Sequence, residues 1–282
     1  RDSRNTARFL LGNLDGFDRN HLLEPSEMLP LDRWAVRRAG ALQEEVKLAY
    51  ENYQFLQVYQ KVHNFCAFEM GAFYLDILKD RLYTTGRNSR ARRSAQTAMY
   101  HVLEEMVRWI APVLSFTAEE IWKLLPGERA PSVFMETWYQ GPEVTEDRYG
   151  DGFWDRASAL VDCVKDAIEP KRANKEIRGS LDAEVTVYPL DDDSRALVDE
   201  FGDELRFLLI VSDATIADAG EAIPEAAHRS DHFAVVVRAS DAEKCVRCWH
   251  RRENVGSDPE HPELCVRCVE NVTGAGEHRR MT

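Results

Sequence analysis

The chain has 282 residues, of which 44% are hydrophobic and 30% charged, and its formal net charge at pH 7 is −13. This composition is typical of an ordinary globular protein with room for more than one domain, and no apolar run approaches the ~18 residues of a membrane-spanning helix. Taken alone, the negative charge argues against a nucleic-acid partner, although binding depends on where the basic residues cluster.

The chain starts at Arg1 without an initiator methionine or a signal peptide, so we expect a piece of a longer protein. Four of its six cysteines form two close pairs, and Cys66 and Cys163 stand alone in helical patterns as predicted buried thiols. This usage of cysteine fits a reducing compartment, and we expect a cytoplasmic location.

Residues 1–126 carry apolar side chains at three- and four-residue spacing, which predicts helices throughout this part. Asp32 is the predicted N-cap of the second helix, and Thr117 to Glu120 form a predicted capping box before the last one. The predicted helices cover about residues 5–11, 32–53, 55–79, 89–110 and 117–125. Together they predict an antiparallel helical bundle.

After an irregular connector over residues 127–150, the pattern of the sequence changes. Helices are predicted over 153–173 and 191–208, and alternation of apolar side chains predicts strands over 181–188, 209–211, 214–217 and 233–237. The fold class is therefore mostly α: a helical bundle, a small α+β domain over residues 151–240, and a metal-binding C-terminal region over 241–282.

Two Cys-x-x-Cys pairs, Cys245 with Cys248 and Cys265 with Cys268, are separated by sixteen residues. Each pair can deliver two thiolates from one tight turn, and four thiolates complete the tetrahedral shell of a zinc ion. Two disulfides or redox-active pairs are the alternatives, but neither pair has the strand-then-helix setting of a thioredoxin-like site, and nothing else indicates secretion. A zinc ion with four cysteine ligands has no open position, so it would be structural.

Basic side chains cluster between the third and fourth predicted helices, opposed only by Asp80. Phosphate contacts supply most nucleic-acid affinity, so this cluster predicts a binding surface, while the alternative is a solvated loop. Its members are Lys79, Arg81, Arg87, Arg90, Arg92 and Arg93.

Trp249 follows the first cysteine pair directly, and Arg247, His250, Arg251 and Arg252 flank it. A tryptophan on a small metal-binding turn can be the apolar core of that turn. It can also be a stacking surface for an unpaired base, which contributes ~1–3 kcal/mol per base. The spacing alone favours the core slightly, and the basic neighbours keep both interpretations open.

No catalytic motif was found in the sequence: it has no Walker loop, dinucleotide fingerprint, nucleophile elbow or His-Glu-x-x-His. The eight histidines are scattered without partners that indicate acid–base chemistry. We therefore predict no catalytic residues and a chain that binds rather than reacts.

Several stretches resemble the C-terminal third of bacterial isoleucyl-tRNA synthetases, a class I family. The resemblance covers essentially the whole chain in one order, and the stretches over 73–83 and 244–250 favour isoleucine among related synthetases. The matching stretches are residues 4–14, 31–34, 73–83, 108–122, 202–207 and 244–250.

This resemblance implies a helical anticodon-binding domain, a C-terminal junction and a zinc-binding end. The full enzyme of this family uses ATP and Mg²⁺ to join isoleucine to its tRNA, but the family's catalytic signatures and editing domain are absent here, so we expect this chain to be inactive. The implied partner is the anticodon stem-loop of isoleucine tRNA, contacted by a monomer that binds neither DNA nor membrane. The candidate tRNA contacts are Lys79, Arg81, Arg87, Arg90, Arg247 and Trp249.

Three alternatives remain at this point. The chain can belong to a valyl, leucyl or methionyl relative, which share the helical bundle. The cysteine pairs also resemble the zinc hairpin of bacterial DNA glycosylases, although that family has no such bundle. A zinc ribbon that binds only protein is the third alternative, and the acidic surface suits it.

Overall fold

The computed structural model describes residues 2–145 and 147–282. Within them the fold is mostly helical, with one four-stranded sheet and a cluster of four cysteines. The chain divides into two compact units, Arg1–Leu82 with Arg87–Asp147 and Tyr83–Gly86 with Arg148–Thr282. The finer division at residues 126, 150 and 240 stays a prediction. None of the helices among the described residues combines the length and apolar character needed to span a membrane.

The first unit is helical, and its core lies between the long helices α2 and α5. The Tyr50 hydroxyl on α2 donates to the Trp109 carbonyl oxygen on α5 at 2.7 Å. The rings of Phe65 and Trp109 meet edge to face with centroids 5.5 Å apart. The helices are α1 (Asp2–Asn13), α2 (Pro30–Glu51), α3 (Phe55–Asn64), α4 (Leu75–Thr84), α5 (Arg90–Ile110) and α6 (Ser115–Leu124), and a π-helix (Phe65–Tyr74) joins α3 to α4.

Two predicted helix starts in this unit are wrong. Helix α2 begins at Pro30, a residue that suits the first turn of a helix, so Asp32 lies inside the helix rather than at its cap. Helix α6 begins at Ser115 after Leu114, which places Thr117 within the helix and removes the predicted capping box. The predicted start of α5 near Ser89 is confirmed, because the Ser89 side chain accepts a hydrogen bond from the Arg92 amide.

Asp32 is instead the acidic partner in a buried ion pair. Both terminal guanidinium nitrogens of Arg81 donate to its carboxylate, at 2.8 and 2.5 Å, and the Tyr74 hydroxyl donates at 2.7 Å. The Ser94 hydroxyl donates to the same carboxylate. Asp32 is 0% exposed and Arg81 1% exposed. Four hydrogen bonds to one carboxylate compensate its removal from water and connect α2, the π-helix, α4 and α5.

The π-helix departs from the predicted continuous helix over 55–79. A Cβ atom at Gly71 would lie 3.0 Å from the Cys66 carbonyl oxygen, so the absence of a side chain permits this wide turn. The segment ends at Tyr74, which bonds to Asp32, and α4 continues to Thr84. The π-helix therefore helps to set the register that brings Tyr74 and Arg81 to the same carboxylate.

The second unit contains the sheet, in the strand order β2-β1-β4-β3. Strand β1 pairs in parallel with β2 and antiparallel with β4, and β3 pairs antiparallel with β4. Helices α7 and α8 pack against β4 and β1, with Trp154 and Phe201 buried among them. The elements are α7 (Asp151–Ala173), β1 (Ala183–Pro189), α8 (Asp192–Phe201), α9 (Leu205–Leu209), β2 (Asp213–Ile216), β3 (His228–Arg229), β4 (Phe233–Ala239) and α10 (Val266–Thr273).

The predicted strand over 209–211 is wrong. Leu209 ends α9, and Ile210 after it has a left-handed backbone with φ 56°. The predicted helix over 191–208 is interrupted at Gly202, whose φ of 50° is unusual for residues with a side chain. Strands near the predicted positions 181–188, 214–217 and 233–237 are confirmed as β1, β2 and β4.

Glu105 on α5 makes the stability of the first unit depend on pH. Its carboxyl is buried, with one oxygen that has no hydrogen-bond partner among the described residues. Burial raises the pKa of Glu105 from 4.5 to about 8. Between these two values the folded chain holds a proton that the unfolded chain has lost, so the free energy of unfolding falls as the pH rises to about 8.

We therefore expect Glu105→Gln to raise the free energy of unfolding at pH 9 by on the order of 2–3 kcal/mol and to have a much smaller effect at pH 4.5. Urea unfolding of both chains at the two pH values measures the difference. Glu120→Gln removes an exposed carboxylate and serves as the control. An equal effect of Glu105→Gln at both pH values would contradict the raised pKa.

Candidate functional site

The four cysteine sulfurs form a compact cluster. All lie within 4.8 Å of one another, and the sulfurs of Cys248 and Cys265 are 3.7 Å apart. Zinc–sulfur bonds of about 2.3 Å place tetrahedral ligands about 3.8 Å apart. All six cysteines of the chain are free thiols, and these four are buried. The residues present therefore fit one structural zinc ion with a closed shell.

Local hydrogen bonds build the two turns that carry the sulfurs. In the first, the Trp249 amide donates to the Cys245 carbonyl oxygen at 3.0 Å, and the Cys245 amide donates to the His250 carbonyl oxygen at 2.9 Å. The second pair lies at the start of α10, where Cys265 is the N-cap. Its amide donates to the Cys245 sulfur at 3.4 Å, which links the two turns.

Hydrogen bonds among the sulfurs shift the pKa values of two of the cysteines in opposite directions. Hydrogen bonds from the Cys248 and Cys268 thiols lower the pKa of Cys265 to about 3. Hydrogen bonds to the Cys248 and Cys265 sulfurs raise the pKa of Cys268 instead. A zinc ion that binds the four cysteines displaces their protons.

Two arginines after the first turn anchor the cluster to the sheet. Arg251 donates to the Asp182 carboxylate at 2.8 Å through its side chain and to the Ser212 hydroxyl at 2.6 Å through its amide. Arg252 pairs with Asp213 on β2 at 2.6 Å. In the sequence, these basic neighbours kept the RNA-stacking interpretation of Trp249 open, but the bonds of Arg251 and Arg252 make them structural. The cysteine cluster and the sheet therefore belong to one compact unit.

Trp249 is not the core of the metal-binding turn. Its side chain is 60% exposed, while Val255 and Leu264 provide the apolar cover of the sulfurs. Its backbone is left-handed, with φ 66°, which is uncommon for a residue with a bulky side chain. The Lys244 ammonium lies 5.7 Å from the ring centroid. The turn therefore presents an indole ring beside a cation at the surface.

Arg247 is a further exposed side chain on this turn. Its guanidinium donates to the Thr84 carbonyl oxygen at 3.0 Å, and the segment Tyr83–Gly86 groups with this unit. Sequence reasoning identified Arg247 and Trp249 but did not single out Lys244. The signal for Lys244 was its position one residue before Cys245, on the same turn as the tryptophan.

The basic cluster divides into exposed and internal members. Lys79, Arg87 and Arg90 are exposed, although Lys79 pairs with Asp76 at 2.6 Å and Arg90 donates to the Glu27 carbonyl oxygen at 2.7 Å. Arg93 is largely buried and bonds to Gln96 and Asn88, and Arg92 donates to the Leu82 carbonyl oxygen.

Arg81 requires a correction. The sequence placed it among the tRNA contacts, but its guanidinium lies in the core and bonds to Asp32. A side chain buried in this way cannot reach a phosphate, and we remove Arg81 from the candidate contacts.

Comparison with known proteins gives two family matches. Residues 32–187 match the family described as the anticodon-binding domain of tRNA ligase. Residues 242–271, which include all four cysteines of the cluster, match the zinc finger found in FPG and IleRS.

Curated relatives match nearly the whole chain. It is 51% identical to the isoleucine–tRNA ligase of Alkalilimnicola ehrlichii over 99% of its length. It is 54% identical to the isoleucine–tRNA ligase of Pseudomonas putida KT2440 and 53% identical to that of Pseudomonas aeruginosa PAO1, over 98% of its length in each case. The chain spans about 30% of the length of these relatives.

Proposed function

This chain belongs to the family of anticodon-binding domains of tRNA ligases, and on that premise we propose that it is the tRNA-binding part of an isoleucine–tRNA ligase. The whole enzyme would join isoleucine to its tRNA with ATP and Mg²⁺. The chemistry would take place outside this chain, which lacks the catalytic signatures of the family. We further propose that it acts in the cytoplasm as a monomer, and that its first helices form the antiparallel bundle of the family.

The observation that carries the proposal is the exposed ring of Trp249 beside Lys244 on a metal-supported turn. Proteins recognise RNA sequence mainly where bases are unstacked, as in an anticodon loop, and an aromatic ring offers such a base a surface for stacking. Lys244 and Arg247 add positive charge for the adjacent phosphates. We propose that Trp249 stacks on an anticodon base of isoleucine tRNA.

In this proposal, the zinc ion crosslinks the two turns and takes no part in chemistry. Lys79, Arg87 and Arg90 in the first unit would contact phosphates of the same tRNA. Each such contact releases counterions from the RNA, so tRNA binding should weaken as the salt concentration rises.

We expect Trp249→Ala to weaken binding of isoleucine tRNA about tenfold, because a lost base stack is worth ~1–3 kcal/mol. The ring is exposed, so far-UV circular dichroism and zinc content should not change. Filter binding with an isoleucine tRNA transcript measures the affinity. Phe134→Ala removes a similarly exposed ring from the other unit and serves as the control.

Four outcomes would count against the proposal. Unchanged tRNA binding by Trp249→Ala would exclude the stacking role. Loss of zinc in that variant would show that the ring stabilises the metal-binding turn instead. Equal affinity for isoleucine, valine and methionine tRNAs would remove the assignment to isoleucine. Absence of any salt-dependent RNA binding would favour a chain that binds only protein.

A further inference from the structure

Arginine side chains gather beside the cysteine cluster, around the buried ring of Phe207. The guanidinium carbons of Arg206, Arg267 and Arg279 lie 4.6, 5.0 and 3.3 Å from the ring centroid. A cavity of about 60 Å³ next to them is lined by Arg206, Arg252 and Arg267 and also by Cys248 and Cys265. No carboxylate is among the residues that line it.

Carboxylates pair with the neighbours of Arg206 but not with Arg206 itself. Arg252 pairs with Asp213 at 2.6 Å, and Glu277 accepts from Arg267 at 3.1 Å and from Arg279 at 2.9 Å. The side chain of Arg206 makes no hydrogen bond or ion pair within residues 2–145 and 147–282. Burial lowers the pKa of Arg206, and so do the charges of Arg252, Arg267 and Arg279, whereas the charge of Asp213, which pairs with Arg252, raises it. A partly buried cation among like charges is unfavourable unless an anion lies nearby.

The cysteine cluster can supply that anion. A zinc ion binds cysteine only as thiolate, so four cysteine ligands and one Zn²⁺ carry a net charge of −2. Two of those ligands, Cys248 and Cys265, line the same cavity as Arg206. Arg206 and two ligands of the zinc-bound cluster therefore line one small cavity, and opposite charges beside such a cavity attract each other more strongly than in open water.

We propose that Arg206 is the counter-charge of the zinc–tetrathiolate centre and that it increases the affinity of the four cysteines for zinc. The residue does not bind the metal and acts through the charge of the thiolates, as groups around a metal site commonly do. This role goes beyond RNA binding and does not depend on it, since it rests only on the cysteine cluster and the arginines beside it.

Zinc affinity tests the proposal directly. Competition with a chromogenic chelator gives the zinc dissociation constants of the 282-residue chain and its variants. Arg206→Gln should weaken zinc binding tenfold or more, whereas Arg206→Lys keeps the charge and should stay within about threefold of the parent chain. Arg238→Gln removes an exposed arginine of the same unit and should have no effect. Equal zinc affinity of the parent chain and Arg206→Gln would overturn the proposal.

The stability of the metal-free chain distinguishes a role of the Arg206 charge from a role of its packing. With zinc bound, Arg206→Gln should lower the urea midpoint, because the dianionic centre loses its counter-charge. After removal of zinc by a chelator, the urea midpoint of the same variant should equal or exceed that of the metal-free parent chain. The reason is that the variant lacks one of four neighbouring positive charges. A lower midpoint in both forms would show that Arg206 acts only by packing against Phe207, and would overturn the proposal.

If Arg206→Gln does not fold, the zinc affinity of Arg206→Lys tests the proposal instead. The ammonium of lysine keeps the positive charge but loses the planar guanidinium that packs over Phe207. Near-parental zinc affinity of Arg206→Lys would support the counter-charge. A tenfold or greater loss of zinc affinity would assign Arg206 to packing and overturn the proposal.

Discussion

Cys265→Ser should lose its bound zinc and the folded structure of the C-terminal region around it. A serine hydroxyl is a poor substitute for a thiolate, and three remaining cysteines cannot close the tetrahedral shell. Binding of structural zinc contributes ~10–16 kcal/mol in small zinc-finger peptides, so even a partial loss is large against the stability of a domain. We expect zinc content after dialysis to fall from one equivalent per chain to nearly none.

Metal analysis and hydrogen exchange of residues 241–282 measure this outcome. Cys163→Ser is the matched control, because Cys163 is a buried thiol on α7 of the same unit but outside the cluster. It should keep one zinc equivalent. A Cys265→Ser chain that also keeps one equivalent after dialysis would show that the four cysteines are not the ligand set.

Asp32→Ala should destabilise the first unit by about 3–5 kcal/mol, the usual effect of leaving one member of a buried ion pair without its partner. The variant leaves the guanidinium of Arg81 in the core and also removes the acceptor of the Tyr74 and Ser94 hydroxyls. Replacing Arg81 with methionine in the same chain removes the isolated charge. We therefore expect the double variant to be more stable than Asp32→Ala alone.

Urea unfolding of the parent chain, both single variants and the double variant gives the coupling energy of the pair. Glu69→Ala breaks the partly exposed pair of Glu69 with Arg38 and should cost about 1 kcal/mol or less, which makes it the control. If Asp32→Ala costs no more than Glu69→Ala, the Asp32–Arg81 pair does not stabilise the core.

Charge can be read from a sequence, but burial of that charge cannot. Asp32 stands at the start of an apolar pattern and Arg81 stands in a run of basic residues, so one looked like a helix cap and the other like an RNA contact. Their contact spans 49 positions of the chain and depends on how α2 packs with α4. No local pattern contains that information, and both local interpretations failed for this reason.

Features that depend on short-range spacing were predicted well. The four cysteines come together because each Cys-x-x-Cys turn presents two sulfurs in a fixed local geometry, and two such turns complete one tetrahedral metal site. Amphipathic helices such as α5 follow from their periodicity. The spacing that predicted a continuous helix over 55–79 does not distinguish a π-helix from an α-helix across the almost wholly apolar Phe65–Tyr74. Its π-helical form depends on the space at Gly71. The exposure of Trp249 likewise depends on a left-handed backbone that the spacing of the cysteines does not reveal.

The hydrogen bonds beside Trp249 determine how much conformational entropy this turn still loses when a partner binds. Its own amide donates to the Cys245 carbonyl oxygen, and the carbonyl oxygen of the next residue, His250, accepts from the Cys245 amide. The backbone is therefore fixed on both sides of the ring before any binding event. Only the two side-chain torsions stay free, and immobilising such a side chain costs about 0.5–1.5 kcal/mol. The metal-bound turn is thus preorganised. Because its backbone is already ordered in the free protein, association has a lower entropic cost.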